Sequence, residues 1–146
     1  MNEITIPSQQ EHLSATVFEH QDATSVLVIA SATGVKQSYY QDFASYISSK
    51  GITVITFDYL GIGKSLNRPI RQLTHSAADW GKEDLESVLT YVINHYPNHK
   101  KCILGHSIGG QIIGLAKSSV KMDKIILVAA QSGYWKLWPG FSRMKM

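Results

Sequence analysis

The sequence predicts an α/β protein with a mostly parallel sheet of about six strands and flanking helices. Three observations carry that expectation. Ser25 to Ala30, Ile52 to Phe57 and Lys124 to Ala130 are nearly continuous apolar, β-branched runs, the pattern of strands covered on both faces. Amphipathic stretches of helical period, Tyr39 to Ser49 and Ala78 to Tyr96, alternate with them. A third apolar-to-amphipathic junction falls at Gly105-His106-Ser107-Ile108-Gly109. Strands alternating with helices from Ser25 onward imply parallel neighbours joined by right-handed crossovers.

Taken in order, Asn2 to Ile6 and His12 to Phe18 show short polar/apolar alternation around Pro7-Ser8-Gln9-Gln10, which reads as an outer hairpin. Ser25 to Ala30 is the first buried strand, followed by the small-residue loop Ser31-Ala32-Thr33-Gly34. In the helix after it, Tyr39, Tyr40, Phe43, Tyr46 and Ile47 recur at helical spacing, and Lys50-Gly51 ends it. Ile52 to Phe57 is the second buried strand. The polar stretch Asn67 to Ser76, with Pro69, is a loop. Ala78 to Tyr96 places Trp80, Leu85, Val88, Leu89, Val92 and Ile93 on one helical face, and Pro97 closes it. Cys102-Ile103-Leu104 enters the serine junction and Gln111 to Lys117 leaves it as a helix. Lys124 to Ala130 completes the series as a further buried strand.

The junction fits G-x-S-x-G between a strand and a helix, the setting in which that motif carries a nucleophile. A serine in so sharp a turn has strained dihedrals and points its hydroxyl out of the sheet. Glycines two positions before and after let strand and helix pass closely, because a Cβ there would clash. The helix start then offers N–H groups to charge developing beside the hydroxyl.

With 44% hydrophobic and 17% charged residues, the 146-residue chain buries a core and is not a disordered segment. A net charge of +3 with scattered Lys and Arg gives no reason to expect nucleic acid as a partner. Cys102, the one cysteine, reads as a core thiol. No run is long and apolar enough for stable membrane insertion, and no apolar stretch precedes a small-residue cleavage site, so a cytoplasmic location is expected. Gly61-Ile62-Gly63-Lys64-Ser65 ends like a phosphate-binding loop, but Asp58 stands where its leading glycine belongs. The dinucleotide fingerprint fails too, with Leu66 at its third glycine. Nothing calls for a metal or an organic cofactor.

Ala32-Thr33-Gly34-Val35, Phe57-Asp58-Tyr59-x-Gly61-x-Gly63-x-Ser65, Asp79-Trp80-Gly81, Gly105-His106-Ser107-Ile108-Gly109-Gly110-Gln111 and Ser132-Gly133-Tyr134-Trp135 together carry a resemblance. The chain resembles the α/β-hydrolase superfamily, and within it predicted bacterial hydrolases of the serine aminopeptidase and esterase branch. Leu60 departs from that pattern, since many relatives carry Arg after the Asp-Tyr pair. The resemblance implies that Ser107 is a nucleophile for acyl transfer on an ester, thioester or amide. It implies that the Ile108 N–H is one oxyanion donor and that the backbone of Thr33, or next of Ala32, is the other.

A larger departure follows the serine. In this fold an acid and then a histidine come after the nucleophile. After Ser107 the chain has one carboxylate, Asp123, at the wrong end of its strand, and no histidine. The six histidines lie at or before His106, and none has an acid that the sequence places to orient it. His106 is expected to pack under the turn.

Two readings follow. In one, residues 1–146 are the N-terminal part of a single, truncated α/β-hydrolase domain, acting on a small-molecule acyl substrate. Residues 134–146 then start a lid or cap in which Tyr134 and Trp135 line the substrate. In the other, the chain is an inactive hydrolase-like binding module. Its unpaired edge at Lys124 to Ala130 would make it a homo-oligomer.

Overall fold

The structure is a computed structural model. It describes residues 1–131, apart from the side chain of residue 70. Tyr134, Trp135 and the rest of the 134–146 segment lie outside the described residues.

Strands β1 (Asn2–Ser8), β2 (Glu11–Phe18), β3 (Ser25–Ala30), β4 (Thr53–Phe57), β5 (Lys100–His106) and β6 (Lys124–Val128) form one six-stranded sheet in the order β1-β2-β4-β3-β5-β6. The first two make the antiparallel hairpin that the alternation predicts, with Asn2 opposite Val17 and Ser8 opposite Glu11. Pro7 sits inside β1 rather than in the turn. It is tolerated there because β1 is an edge strand, where an amide on the open side has no ladder partner to lose. β4, β3, β5 and β6 run parallel. Their carboxyl ends, Phe57, Ala30, His106 and Val128, therefore share one end of the sheet, where open α/β sheets bind their ligands.

Two apolar clusters cover the faces. Leu13, Val26, Val28, Phe57, Leu85, Val88, Leu89, Val92 and Ile103 belong to the larger one. Leu27, Ile29, Val54, Tyr40 and Ala44 form the smaller one under helix α1 (Gln41–Ser48).

Several elements depart from the sequence reading. Of the aromatic residues predicted to recur on one face of the first helix, Tyr40 is buried, whereas Tyr39, Phe43 and Tyr46 are exposed. Tyr40 belongs to a 3-10 turn (Gln37–Tyr40) preceding α1, and the change of helical geometry rotates its neighbours outward. The long helix is composite. α2 (Ala77–Asp79) is followed by a π-helical stretch (Trp80–Leu85) and then α3 (Glu86–His95). Gly81 lies in the π-helical stretch, and a Cβ on it would come within 2.8 Å of the Ile112 carbonyl oxygen. The helix after the serine is shorter than the apolar pattern suggests: α4 spans Ile108–Ile112 and gives way to 3-10 turns.

The clearest correction concerns β6. Its apolar run predicts burial on both faces, yet all five residues are exposed, with Leu127 at 59% and Ile125 at 48%. Hydrophobicity reports what a strand is suited to pack against. Among the described residues β6 is the edge of this sheet, paired on one side with β5.

Candidate active site

Ser107 lies between β5 and α4, at the carboxyl end of the central strands. Its backbone has φ 53° and ψ −117°, a conformation that a residue with a Cβ rarely adopts. Its N–H donates to the Val128 carbonyl oxygen at 2.9 Å, and its own carbonyl accepts the Gly110 N–H at 3.0 Å. The turn is thus tied to the sheet on one side and to the first helical turn on the other. Strain of this kind persists only where the surroundings over-determine it.

The glycines explain how so sharp a turn fits. A Cβ on Gly105 would lie 2.5 Å from the Gly110 Cα. One on Gly109 would lie 2.2 Å from the Ala30 carbonyl oxygen and 2.8 Å from that of Ser31. One on Gly110 would lie 2.5 Å from the Ala130 Cβ. The middle contact matters most for the site, because it seats the start of α4 directly against the Ser31-Ala32-Thr33 loop after β3. Gly109, two residues after Ser107, is thereby held against the carbonyls of Ala30 and Ser31 at the start of that loop. Ile108 opens α4, so its amide has no intrahelical partner.

The two loop amides differ. Ala32 N–H donates to the Tyr40 hydroxyl at 3.0 Å. Thr33 is exposed, and its N–H has no partner among the described residues. Tyr40 in turn lies 2.9 Å from His106 Nδ1, with the two rings edge to face at 6.0 Å. Burial pushes the Tyr40 hydroxyl above the ordinary tyrosine range, so it stays protonated. His106 is therefore engaged beside the turn. Ser31 is buried beside Tyr40, and its hydroxyl partly offsets the effect of burial on the tyrosine.

The glycine-rich loop after β4 folds around a carboxylate of the chain itself. Asp58 Oδ1 accepts the Gln37 N–H at 2.7 Å, and Oδ2 accepts the Lys64 N–H at 3.0 Å and Gln37 Nε2 at 3.1 Å. A Cβ on Gly63 would meet that carboxylate at 2.5 Å. The amide of this loop nearest a phosphate-binding pattern is thus spent on Asp58, which gives the physical reason that the phosphate-loop match is a decoy.

One pairing was not legible in the sequence. Asp84, fully buried in the π-helical stretch, accepts the Leu60 N–H at 2.8 Å and the Ser8 hydroxyl at 3.1 Å. His75 Nε2 lies 3.3 Å from Asp84 Oδ1, without hydrogen-bond alignment, and Nδ1 lies 3.6 Å from Glu83. The expectation that no histidine has an acid beside it is therefore corrected for His75. His75 borders a cleft of about 370 Å³ lined by Ser8, Gln9, Glu11, Arg68, Leu73 and Thr74 among others, none from the serine turn. A second cleft, about 350 Å³, lies between the hairpin and Gln37 and also excludes the turn. Asp123 accepts the Lys101 N–H at 2.7 Å at the far end of β5, away from Ser107. Among the described residues no three His, Cys, Asp or Glu side chains gather as metal ligands would. Nor is any helix among them long and apolar enough to cross a membrane.

Comparison with known proteins agrees with this architecture. The family described as "Serine aminopeptidase, S33" matches residues 21–145. An α/β serine hydrolase without lid from Xanthomonas campestris superposes with TM-score 0.71 at 18% identity, over 92% of this chain and 63% of that one. A thermostable carboxyl esterase from Bacillus coagulans gives 0.73 at 18% identity, over 86% of this chain and 43% of that one. An α/β serine hydrolase homologue from Coxiella burnetii gives 0.71 at 19% identity, over 91% and 64%. The likeness is one of fold, and this chain spans less than two thirds of each of those proteins.

Proposed function

Because the chain belongs to the serine aminopeptidase S33 family of α/β hydrolases, we propose that Ser107 is the nucleophile of an acyl-transfer reaction on a small-molecule ester, thioester or amide. The observation that carries the proposal is the serine turn itself. A non-glycine residue is held at φ 53° between strand and helix, with glycines at 105 and 109 where no Cβ fits.

In the reaction Ser107 Oγ attacks the acyl carbon and its proton passes to a general base. The resulting oxyanion accepts the Ile108 N–H and one amide of the Thr33 or Ala32 pair. The alkoxide, thiolate or amine leaves with a proton, and water then releases the acid from the acyl-serine. Donors fixed in advance cost no reorganisation when the charge forms.

His106 is engaged with Tyr40, and His75, which lies beside Asp84, lines a cleft that excludes the serine turn. Neither is suited to be the base. Residues 1–146 thus supply the nucleophile and oxyanion half of the site. On this reading they are the N-terminal part of a single α/β-hydrolase domain. A nucleophile without its base retains only about 10³–10⁴-fold acceleration over water, from the oxyanion hole and binding. The 146-residue chain should therefore react only slowly with p-nitrophenyl acetate, and mass spectrometry should find the acetyl group on Ser107, with none at position 107 in Ser107→Ala. An unacetylated Ser107 after prolonged treatment would refute its role.

A second reading has one observation in its favour: among the described residues, the outer edge of β6 is unpaired and its apolar side chains are exposed. On that reading the chain is an inactive module that self-associates by pairing β6 with β6. Sedimentation would then reveal a concentration-dependent dimer that Ile126→Lys abolishes, with no Ser107-dependent hydrolysis. A monomer at all concentrations would refute it.

A further inference from the structure

We propose that Tyr40 is a positioning residue for the oxyanion corner, deciding which loop amide faces the substrate and which nitrogen of His106 carries the proton. The inference rests on the nucleophile reading of Ser107. It begins with one hydroxyl that has two partners. Tyr40 Oη accepts the Ala32 N–H at 3.0 Å and lies 2.9 Å from His106 Nδ1.

Tyr40 Oη already accepts the Ala32 N–H, and of its neighbours His106 Nδ1 stands at hydrogen-bond distance with a lone pair to receive the Tyr40 proton. On this assignment Tyr40 donates to Nδ1, and the ring hydrogen of His106 lies on Nε2.

The consequence for the loop follows from the same bond. An amide already donating in good alignment to a buried hydroxyl is poorly placed to serve a transient oxyanion as well. With Ala32 committed to Tyr40, the second oxyanion donor is the Thr33 N–H, which has no partner among the described residues. Tyr40 thus ties three segments together: the loop after β3, the 3-10 turn before α1, and the residue directly before the nucleophile. The Gly109 contact with the Ala30 and Ser31 carbonyls fixes the far side of the same corner. The loop is clamped from both sides, with Thr33 facing out between the clamps.

Tyr40→Phe tests this with little disturbance to packing, since the edge-to-face contact with His106 needs only the ring. Two readouts are needed on the full chain. The first is the ¹⁵N spectrum of histidine-labelled wild-type protein, which distinguishes an acceptor Nδ1 from a protonated one. We expect an acceptor Nδ1 on His106 in the wild type and a mixture of tautomers in Tyr40→Phe. A protonated Nδ1 in the wild type overturns the proposal, and this reading stands even if the variant fails to fold. The second is the kinetics of Ser107 modification by a fluorophosphonate. In Tyr40→Phe the maximal rate should fall about tenfold while the half-saturating concentration stays unchanged, because the lost alignment acts on developing charge and not on binding. Tyr39→Phe, at the exposed neighbour, should change neither. Wild-type labelling with an unchanged Tyr40→Phe rate overturns the positioning role alone. No labelling of the wild type overturns the nucleophile reading and the positioning role together.

Discussion

Gly109→Ala is the sharpest test of how the serine turn is built. The added Cβ would sit 2.2 Å from the Ala30 carbonyl oxygen, 2.7 Å from its carbon and 2.8 Å from the Ser31 oxygen. Ordinary contact requires well over 3 Å, so the start of α4 or the end of β3 must move by about 1 Å. Neither end yields easily. Ala30 is in register with Gly105 in the parallel β3–β5 ladder, and Gly105 itself abuts Gly110.

Overpacking against backbone belongs at the costly end of its range, about 3 kcal/mol. Gly114→Ala is the internal control. Nothing lies within 4 Å of the Cβ it would add, so stability should stay within about 0.5 kcal/mol of wild type. Urea denaturation of the three proteins, followed by tryptophan fluorescence, measures both differences. The displacement also separates Ile108 from the loop after β3, so Ser107 modification should slow at least as much as in Tyr40→Phe. A Gly109→Ala protein as stable as Gly114→Ala would refute the close approach on which the site geometry depends.

Ser107→Gly should stabilise the chain by about 1 kcal/mol while abolishing Ser107 chemistry, because glycine relieves the strain of φ 53°. Urea titration reads the gain, and an unchanged or lower stability would mean that the turn is not strained. Asp84→Asn should change the pH dependence of stability. Burial is the main cause holding the Asp84 carboxyl above its ordinary range, opposed by the Leu60 N–H, by His75 and by the Ser8 hydroxyl. The folded chain then binds this proton more tightly than the unfolded chain, so ionisation costs wild-type stability as the pH rises from about 4. Asp84→Asn should therefore gain on wild type over that rise, and a difference independent of pH would contradict the assignment.

The parts legible in the sequence share one property: local pattern determined them. β3 was bounded to the residue by its apolar run, and β4 to within one residue. The serine turn announced itself through glycines whose spacing reflects steric contact a few residues apart. The parts missed depend on what comes from far along the chain. The exposure of β6 depends on its place at the sheet edge, which hydrophobicity does not encode. The outward turn of Tyr39, Phe43 and Tyr46 depends on a 3-10 start that propensity does not distinguish from α-helix. Asp84 and His75 meet through a π-helical stretch, and no spacing rule anticipates it. The engagement of Ala32 with Tyr40 was likewise invisible, although Tyr40 and Ala32 are only eight residues apart.

The central claim is that Ser107 is a nucleophile in a preformed turn. It is tested most directly by treating the purified chain with a fluorophosphonate and locating the adduct by peptide mass spectrometry. One phosphonyl group per chain is expected, on Ser107, formed slowly and absent from Ser107→Ala. An unmodified Ser107 after prolonged treatment, or an equal adduct in Ser107→Ala, would contradict it.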